Sequence, residues 1–364
     1  MQVDKDRNTG LDIVRSIAIL CVVLLHLVIP YSIILKKDFS WIPIPDGVDI
    51  FFVLSGYLIG GILVRTFQEK QVTQKEIFRF WTMRWFRTLP AYYFFTFVVF
   101  VLNGFKMPLK NLLFLQNVWK FYPNPYLETW SLCVEEWFYL ILPLAIYFFT
   151  RLFSHNAMRA ILYAAIGMLF FSLLTRMYFY MVYNHTVQDF MMVRSLVVTR
   201  LDAIAIGVFG AWIKYNRTEM WHQRKSLHFY TGLSLFVGMT VLSALVMYRN
   251  KASVDLFHWN FGFILYSVSI ILMFPKIEDV RIKNKYIYGF VTNTSKISYS
   301  MYLIHNTILF HTLLLIFMYF KQSNLLLFTV IYLLLLFSLS NISYRFLEKR
   351  WLNYRAAFVR KYFD

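Results

Sequence analysis

A run of roughly twenty apolar residues recurs ten times along this chain, and that pattern leaves few folds open. A helix needs about 20 apolar residues to cross the hydrocarbon core of a bilayer. Only helices and closed barrels satisfy their own backbone there. The runs fall at 11–35, 47–67, 88–105, 129–152, 159–183, 195–214, 227–248, 256–275, 292–320 and 324–346. A shorter stretch, 108–119, reads as an interfacial helix. The connectors are too short for a soluble domain, so residues 1–364 are expected to form a single membrane-embedded domain. Composition agrees: 59% of residues are hydrophobic, 15% are charged, and the mean hydropathy is +0.53. A soluble domain carries about 25% charged residues. The expected class is an all-α integral membrane protein of about ten transmembrane helices.

The formal net charge of +18 is explained by topology rather than by nucleic acid. The basic residues occupy short connectors and form no continuous face. With the N-terminus placed inside, 26 of the 37 Lys and Arg fall on the cytoplasmic side, counting from Lys5, Arg7 and Arg15. Ten fall outside, among them Lys36, Lys37, Arg194, Arg200 and Lys251. The excess places both termini in the cytoplasm, and the protein is expected in the plasma (inner) membrane as a multi-pass protein. The first apolar run is too long for a signal-peptide core. Cys21 and Cys133 both lie inside apolar runs, which supports neither a disulfide framework nor a metal site. No feature sets an oligomeric state.

Ionisable side chains at membrane depth are costly and mark function by default. Here they are His26, Asp49, Glu135, Glu136, Arg176, Arg200, Asp202, His305 and His311. His26 lies eleven residues beyond Arg15, about 16 Å higher along a helix. On these depths five spans deliver polar groups to one outer-half layer. On the inner side, Arg84 and Arg87 are three apart and share a helical face if that connector is helical. A pair of guanidinium groups suits phosphate. Arginines flanking a span are also ordinary topological anchors, and both readings stand.

Several of these residues sit in strings that resemble the membrane-bound acyltransferase 3 family of bacterial O-acyltransferases. The first span carries an Arg-x10-His pattern at Arg15 and His26. The second, GVDIFFVLSGYLIGG, is similar to the family's Gly-x-Asp-x-Phe-Phe-x-x-Ser-Gly signature, with Asp49, Ser55 and Gly56. Arg84 and Arg87 supply an Arg-x-x-Arg, Trp130 to Glu135 a Trp-Ser-Leu-x-x-Glu, and Arg200 with Asp202 an Arg-x-Asp. SYSMYLIH ends in His305, and YRFLEKRW matches the terminal string, with Leu-Glu-Lys-Arg where many members have Glu-Arg-Pro. The matches run in family order from 11 to 351. Some members append an extracytoplasmic SGNH hydrolase domain. This chain ends about thirteen residues after Trp351, so none is expected.

The resemblance implies transfer of an acyl group, most often acetyl from acetyl-CoA, to a hydroxyl of a surface glycan or another acceptor. No cofactor is bound permanently; acyl-CoA is a donor substrate. His26 is the expected general base, by direct attack of the acceptor or through an acyl-histidine. Asp49 or Glu135 would orient it. Ser55 would donate to the oxyanion, or simply let helices pack closely beside Gly56. Arg15, Arg84 and Arg87 would hold the CoA phosphates, although Arg15 also suits an acid partner or an inner anchor. Arg200 and Asp202 would clamp the acceptor or pair structurally, and His305 would touch substrate or bond across helices. Glu136 and His311 read as structural. A secondary transporter of a polar metabolite or glycan is the rival class, but it has no use for a paired arginine site on the inner face.

Overall fold

In a computed structural model of the chain, residues 7–37, 39, 42–106, 108–122, 124–152, 156–249, 254–321 and 324–363 are described. Lys5 and Lys251 of the charge count lie outside them. Every regular element among the described residues is helical. Among the described residues nine helices are long and apolar enough to cross a membrane, and the fold is that of an all-α, multi-pass membrane protein. Large apolar side chains such as Phe97, Leu174, Leu326 and Leu334 stand exposed on its outside, where lipid rather than water is their solvent.

The first helices are α1 (Thr9–Leu35), α2 (Gly47–Glu69) and α3 (Gln74–Leu102). Each begins where a short polar side chain takes up a free backbone N–H. Asn8 accepts from Leu11, Asp46 from Val48 and Thr73 from Glu76. The third element starts fourteen residues before the expected span at 88. Arg84 and Arg87 therefore lie inside a helix, on one face, and not in a connector. The expected interfacial helix at 108–119 is reduced to α4 (Leu109–Leu112). Next come α5 (Thr129–Leu152) and α6 (Ala157–Val182), both close to the expected spans.

The expected span at 195–214 is broken. It holds a tight turn at Val197–Thr199 and then α8 (Leu201–Asn216), and a separate short helix, α7 (Val187–Arg194), precedes it. A capping box between Thr186 and Asp189 starts α7, which lies N-terminal to the apolar run and so was not legible in it. The remaining elements are α9 (Thr218–His222), α10 (Lys225–Arg249), α11 (Phe263–Ile277), α12 (Lys285–Ile304), α13 (His311–Tyr319), α14 (Leu325–Ser343) and α15 (Lys349–Tyr362). Wide π-helical turns lead into three of them, at His258–Gly262, His305–Phe310 and Tyr344–Glu348. Such turns often mark functional positions.

At the centre, α8 lies against α2 with backbone touching backbone. A Cβ on Gly56 would stand 1.9 Å from the Ile204 carbonyl oxygen, and one on Gly207 would stand 2.1 Å from that of Val53. Small residues permit this approach in membranes, where close packing takes over from the hydrophobic effect. Gly56→Ala is expected to destabilise the fold by about 1–3 kcal/mol or more, the cost of overpacking. Thermal unfolding in detergent checks this, and an unchanged midpoint would contradict the contact.

Two buried ion pairs fasten the same region. Arg176 of α6 meets Asp202 of α8 at 2.8 Å, with neither side chain exposed. Arg176 also donates to the carbonyls of Thr199 (2.5 Å) and Asn260 (3.1 Å). Arg200 pairs with Asp49 of α2 and lies 4.0 Å from the centre of the Phe263 ring. Removing one partner of such a pair costs about 3–5 kcal/mol, because a buried charge is left uncompensated.

Candidate active site

A cavity of about 350 Å3 opens between α1, α2, α3, α5 and α12. Arg15, Arg65, Arg84 and Arg87 line it together with Ser55 and Glu135, while Phe52, Ile59 and Leu132 supply apolar wall. Four guanidinium groups against one carboxylate give it a strongly positive field. The walls are low in dielectric, which strengthens that field. Such a cavity can hold a polyanionic group at its arginines and an apolar chain along the rest.

The arginines reach the carboxylate because α3 is long. Arg84 and Arg87 lie ten and thirteen residues beyond its first residue, about 15 and 20 Å along the helix axis. Arg84 stacks over the Tyr139 ring, 4.3 Å from its centre. Tyr139 sits one turn beyond Glu135 on α5 and donates its hydroxyl to Glu135 Oε2 at 3.1 Å. That proton is committed, so Ser55 is the donor in its own hydrogen bond to the Tyr139 oxygen. Ser55, Tyr139 and Glu135 thus form a relay, with Ser55 and Glu135 in the cavity wall and Tyr139 buried behind them. Ser55 bonds within this relay, and Gly56 beside it makes the close contact with α8.

Arg15 is held on the other side. Its Nη1 donates to Ser295 Oγ at 3.1 Å and lies 3.5 Å from Asp12. Ser295 in turn donates to Asp12 at 2.7 Å, and Arg7 covers the same carboxylate at 2.9 Å. This cluster keeps the Arg15 side chain against the cavity.

His26 lies beyond the cavity, among none of its lining residues. Its Nδ1 is 2.8 Å from the Val22 carbonyl. A carbonyl only accepts, so Nδ1 carries the proton and Nε2 offers a lone pair. The His26 ring meets His305 edge-on, with centroids 4.8 Å apart. His305 repeats the arrangement, with Nδ1 2.7 Å from the Tyr302 carbonyl. Its Nε2 is buried without a hydrogen-bond partner among the described residues. Tyr302 lines the cavity and its ring lies 5.4 Å from that of His305. One aromatic side chain therefore separates the cavity from the histidine pair.

The single polar layer expected from the sequence resolves into three groups. Glu135 joins the arginines, His26 joins His305, and Asp49 joins Arg200. Arg200 and Asp202 pair with Asp49 and Arg176 and not with each other. Asp49 is directed to Arg200, so of the two carboxylates considered as partners of His26 neither touches it. Three residues absent from the sequence list do much of the positioning. Tyr139 was legible as the i+4 neighbour of Glu135, since that spacing shares a helical face. Tyr302 bonds the Glu128 carbonyl at 2.9 Å. Glu128 accepts from the backbone and hydroxyl of Thr307, at 3.0 and 2.5 Å, within the π turn after His305. Burial pushes the Glu128 carboxyl up to about 7. No motif announces these last two contacts, because both join segments far apart in the chain. Among the described residues no cluster of three or more His, Cys, Asp or Glu is placed to hold a metal ion.

A family model described as an acyltransferase domain, acyltransferase 3, matches residues 8–346. Peptidoglycan O-acetyltransferase OatA of Listeria monocytogenes is 35% identical over 156 residues, 37% of this chain and 23% of that protein. O-acetyltransferase OatA of Staphylococcus aureus is 31% identical over 166 residues, covering 40% of this chain and 26% of the relative. Putative peptidoglycan O-acetyltransferase YrhL of Bacillus subtilis is 34% identical over 157 residues, with 37% and 23% covered. The aligned part is about a quarter of the length of these curated relatives. No solved structure matches the chain.

Proposed function

Because the chain belongs to the acyltransferase 3 family, a family of membrane acyltransferases acting on surface acceptors, we propose that it draws acyl groups, acetyl first among them, from cytoplasmic acyl-CoA. The acceptor is a hydroxyl of a cell-surface glycan, as the names of the peptidoglycan O-acetyltransferases suggest. The observation that carries this reading is the meeting of Arg15, Arg84 and Arg87 with Ser55 and Glu135 in one cavity. Those residues come from four different helices. The arginines suit the phosphates at one end of a thioester donor, and the apolar wall suits its arm.

In this reading both termini and the arginine end of the cavity face the cytoplasm, as the Lys and Arg bias indicates. The CoA pyrophosphate lies at Arg84 and Arg87 through charge-assisted hydrogen bonds. The extended arm follows the Phe52, Ile59 and Leu132 wall and carries the thioester toward Tyr302. His26 Nε2 takes the proton from the acceptor hydroxyl as its oxygen attacks the thioester carbonyl. The tetrahedral intermediate collapses, the C–S bond breaks, and the departing thiolate recovers the proton from the imidazolium. His305, held edge-on to His26, orients the ring. The Asp49–Arg200 and Asp202–Arg176 pairs hold the helices that frame this path.

The direct test is thioester cleavage by purified protein in lipid, with a panel of acyl-CoA donors and a glycan acceptor. Free CoA thiol should appear with the acceptor present. Its absence across the panel, in folded protein, would overturn the reading in favour of a transporter. Tyr139→Phe keeps the ring under Arg84 but removes the hydroxyl between Ser55 and Glu135. It should lower turnover about 3–10-fold, the scale of one net hydrogen bond of about 0.5–1.5 kcal/mol. Donor KM should stay within about twofold, since KM and turnover separate binding from chemistry. A rise in KM alone would place Tyr139 in donor binding instead.

A further inference from the structure

Another cavity lies at the N-terminal end of α2. Asp46 and Asp49 line a space of about 220 Å3 whose other walls are Leu25 of α1, Ile42 and Ile44, α7, α10, α11 and the π turn at His258–Gly262. Phe52, three residues on from Asp49, lines the arginine cavity. Three residues are about 4.5 Å of helix, so the two cavities abut. Arg194 lines the second cavity and lies 4.9 Å from the centre of the Trp130 ring. Trp130 meets Phe52 edge-on at 6.0 Å. The partition is one layer of side chains.

This cavity is chemically unlike its neighbour. Its charged side chains are already paired, Asp46 with Arg194 and Asp49 with Arg200 behind it. Burial alone would raise the Asp46 carboxyl, but Arg194 and Arg200 hold it below its ordinary value, so it stays an anion. The Asp46 N–H donates to the Tyr266 hydroxyl at 3.0 Å. His258 is 4% exposed, and its Nε2 lies 3.0 Å from Ser243 Oγ. The other ring nitrogen, Nδ1, is buried with no hydrogen-bond partner among the described residues. Phe190 and Phe263 stack at 5.3 Å beside these groups.

An anion would meet Asp46, a cation would meet Arg194, and a lipid chain would leave the polar groups unpaired at a cost. A neutral ring with several hydroxyls has none of these penalties. Its hydroxyls can donate to the carboxylate and accept from the guanidinium, while its C–H faces lie on the aromatic rings. The volume falls below the roughly 300–1,000 Å3 of sites for drug-sized ligands, which suits one ring and not a chain. We propose that this cavity is a binding site for a single ring of a neutral polyhydroxylated sugar, held by Asp46, Arg194, Ser243 and His258. Its role as the acceptor site rests on the acyl-transfer reading; sugar binding itself does not.

The test uses the full chain in lipid nanodiscs and a panel of methyl glycosides of neutral hexoses and N-acetylhexosamines, titrated by tryptophan fluorescence. Saturable binding is expected. It should weaken at least tenfold in Asp46→Asn and in Ala244→Phe, which fills the cavity while leaving every polar group in place. Leu174→Ala, on the exposed outer surface, should bind sugar as the parent does. No saturable binding by the parent, shown to be folded by its thermal transition, would overturn the proposal. So would an Ala244→Phe variant with unchanged affinity. If binding falls in Ala244→Phe but no thioester is cleaved by the parent, the sugar site stands and the acyl-transfer reading fails. If transfer proceeds with acceptor KM unchanged in Ala244→Phe, the acyl-transfer reading stands and this site fails.

Discussion

Replacing His26 with alanine should lower acyl transfer about 10²–10⁴-fold, the usual contribution of a positioned general base, while the protein remains folded and inserted. The expectation rests on how the ring is held. Its Nδ1 is occupied by the Val22 carbonyl, so Nε2 is the nitrogen available to take a proton. The His26–His305 contact at 4.8 Å limits ring rotation. Alanine removes the base without touching the arginine cavity, so donor affinity should be preserved. His26→Gln is a useful companion, because it keeps a hydrogen-bonding side chain of similar reach but offers no basic nitrogen. It should be nearly as inactive. Transfer retained by either variant, measured as CoA release with acceptor present, would remove His26 as the base.

The second large effect belongs to the donor. Replacing Arg84 and Arg87 together with glutamine should weaken acyl-CoA binding by about 10²-fold or more. Hydrogen bonds to charged groups contribute about 1.5–3 kcal/mol each. The two guanidinium groups line the same cavity as Ser55 and Glu135, and they share a face of α3. Turnover at saturating donor should change less than affinity, because the pair lies away from His26. Binding should also be salt-dependent in the parent and less so in the variant, where Arg15 and Arg65 are what remains of the four guanidinium groups. Equilibrium binding of acetyl-CoA at several ionic strengths measures both. Unchanged affinity would return the two arginines to the role of topological anchors.

The sequence carried the membrane architecture well, because a span of about 20 apolar residues is a direct solvent requirement. It carried less where helices depart from that length. The run at 195–214 looked like one span, yet the chain breaks at Val197–Thr199 and restarts as the sixteen residues of α8. The start of α3 was hidden because residues 74–87 are too polar to read as a span, although Thr73 caps a helix there. Reading those residues as a connector separated Arg84 and Arg87 from Glu135, with which they line one cavity.

The site was legible as a set of residues but not as a set of partners. Single-residue costs at membrane depth picked out His26, Asp49, Glu135, Arg200, Asp202 and His305. Which of them touch is decided by how helices distant in sequence pack. The glycine contacts between α2 and α8 set the Asp49–Arg200 pairing, and the packing of α1 beside α12 sets His26 against His305. Tyr139 is the exception, since its relation to Glu135 is local to one helix.

The most direct measurement is an experimental structure of the full chain in lipid nanodiscs with a non-cleavable thioether analogue of acetyl-CoA. The pyrophosphate is expected within hydrogen-bonding reach of Arg84 and Arg87, with the arm along the Phe52–Leu132 wall and the carbonyl of the analogue at the Tyr302 end, facing His26. An analogue bound elsewhere, or bound with its carbonyl turned away from His26, would contradict this expectation.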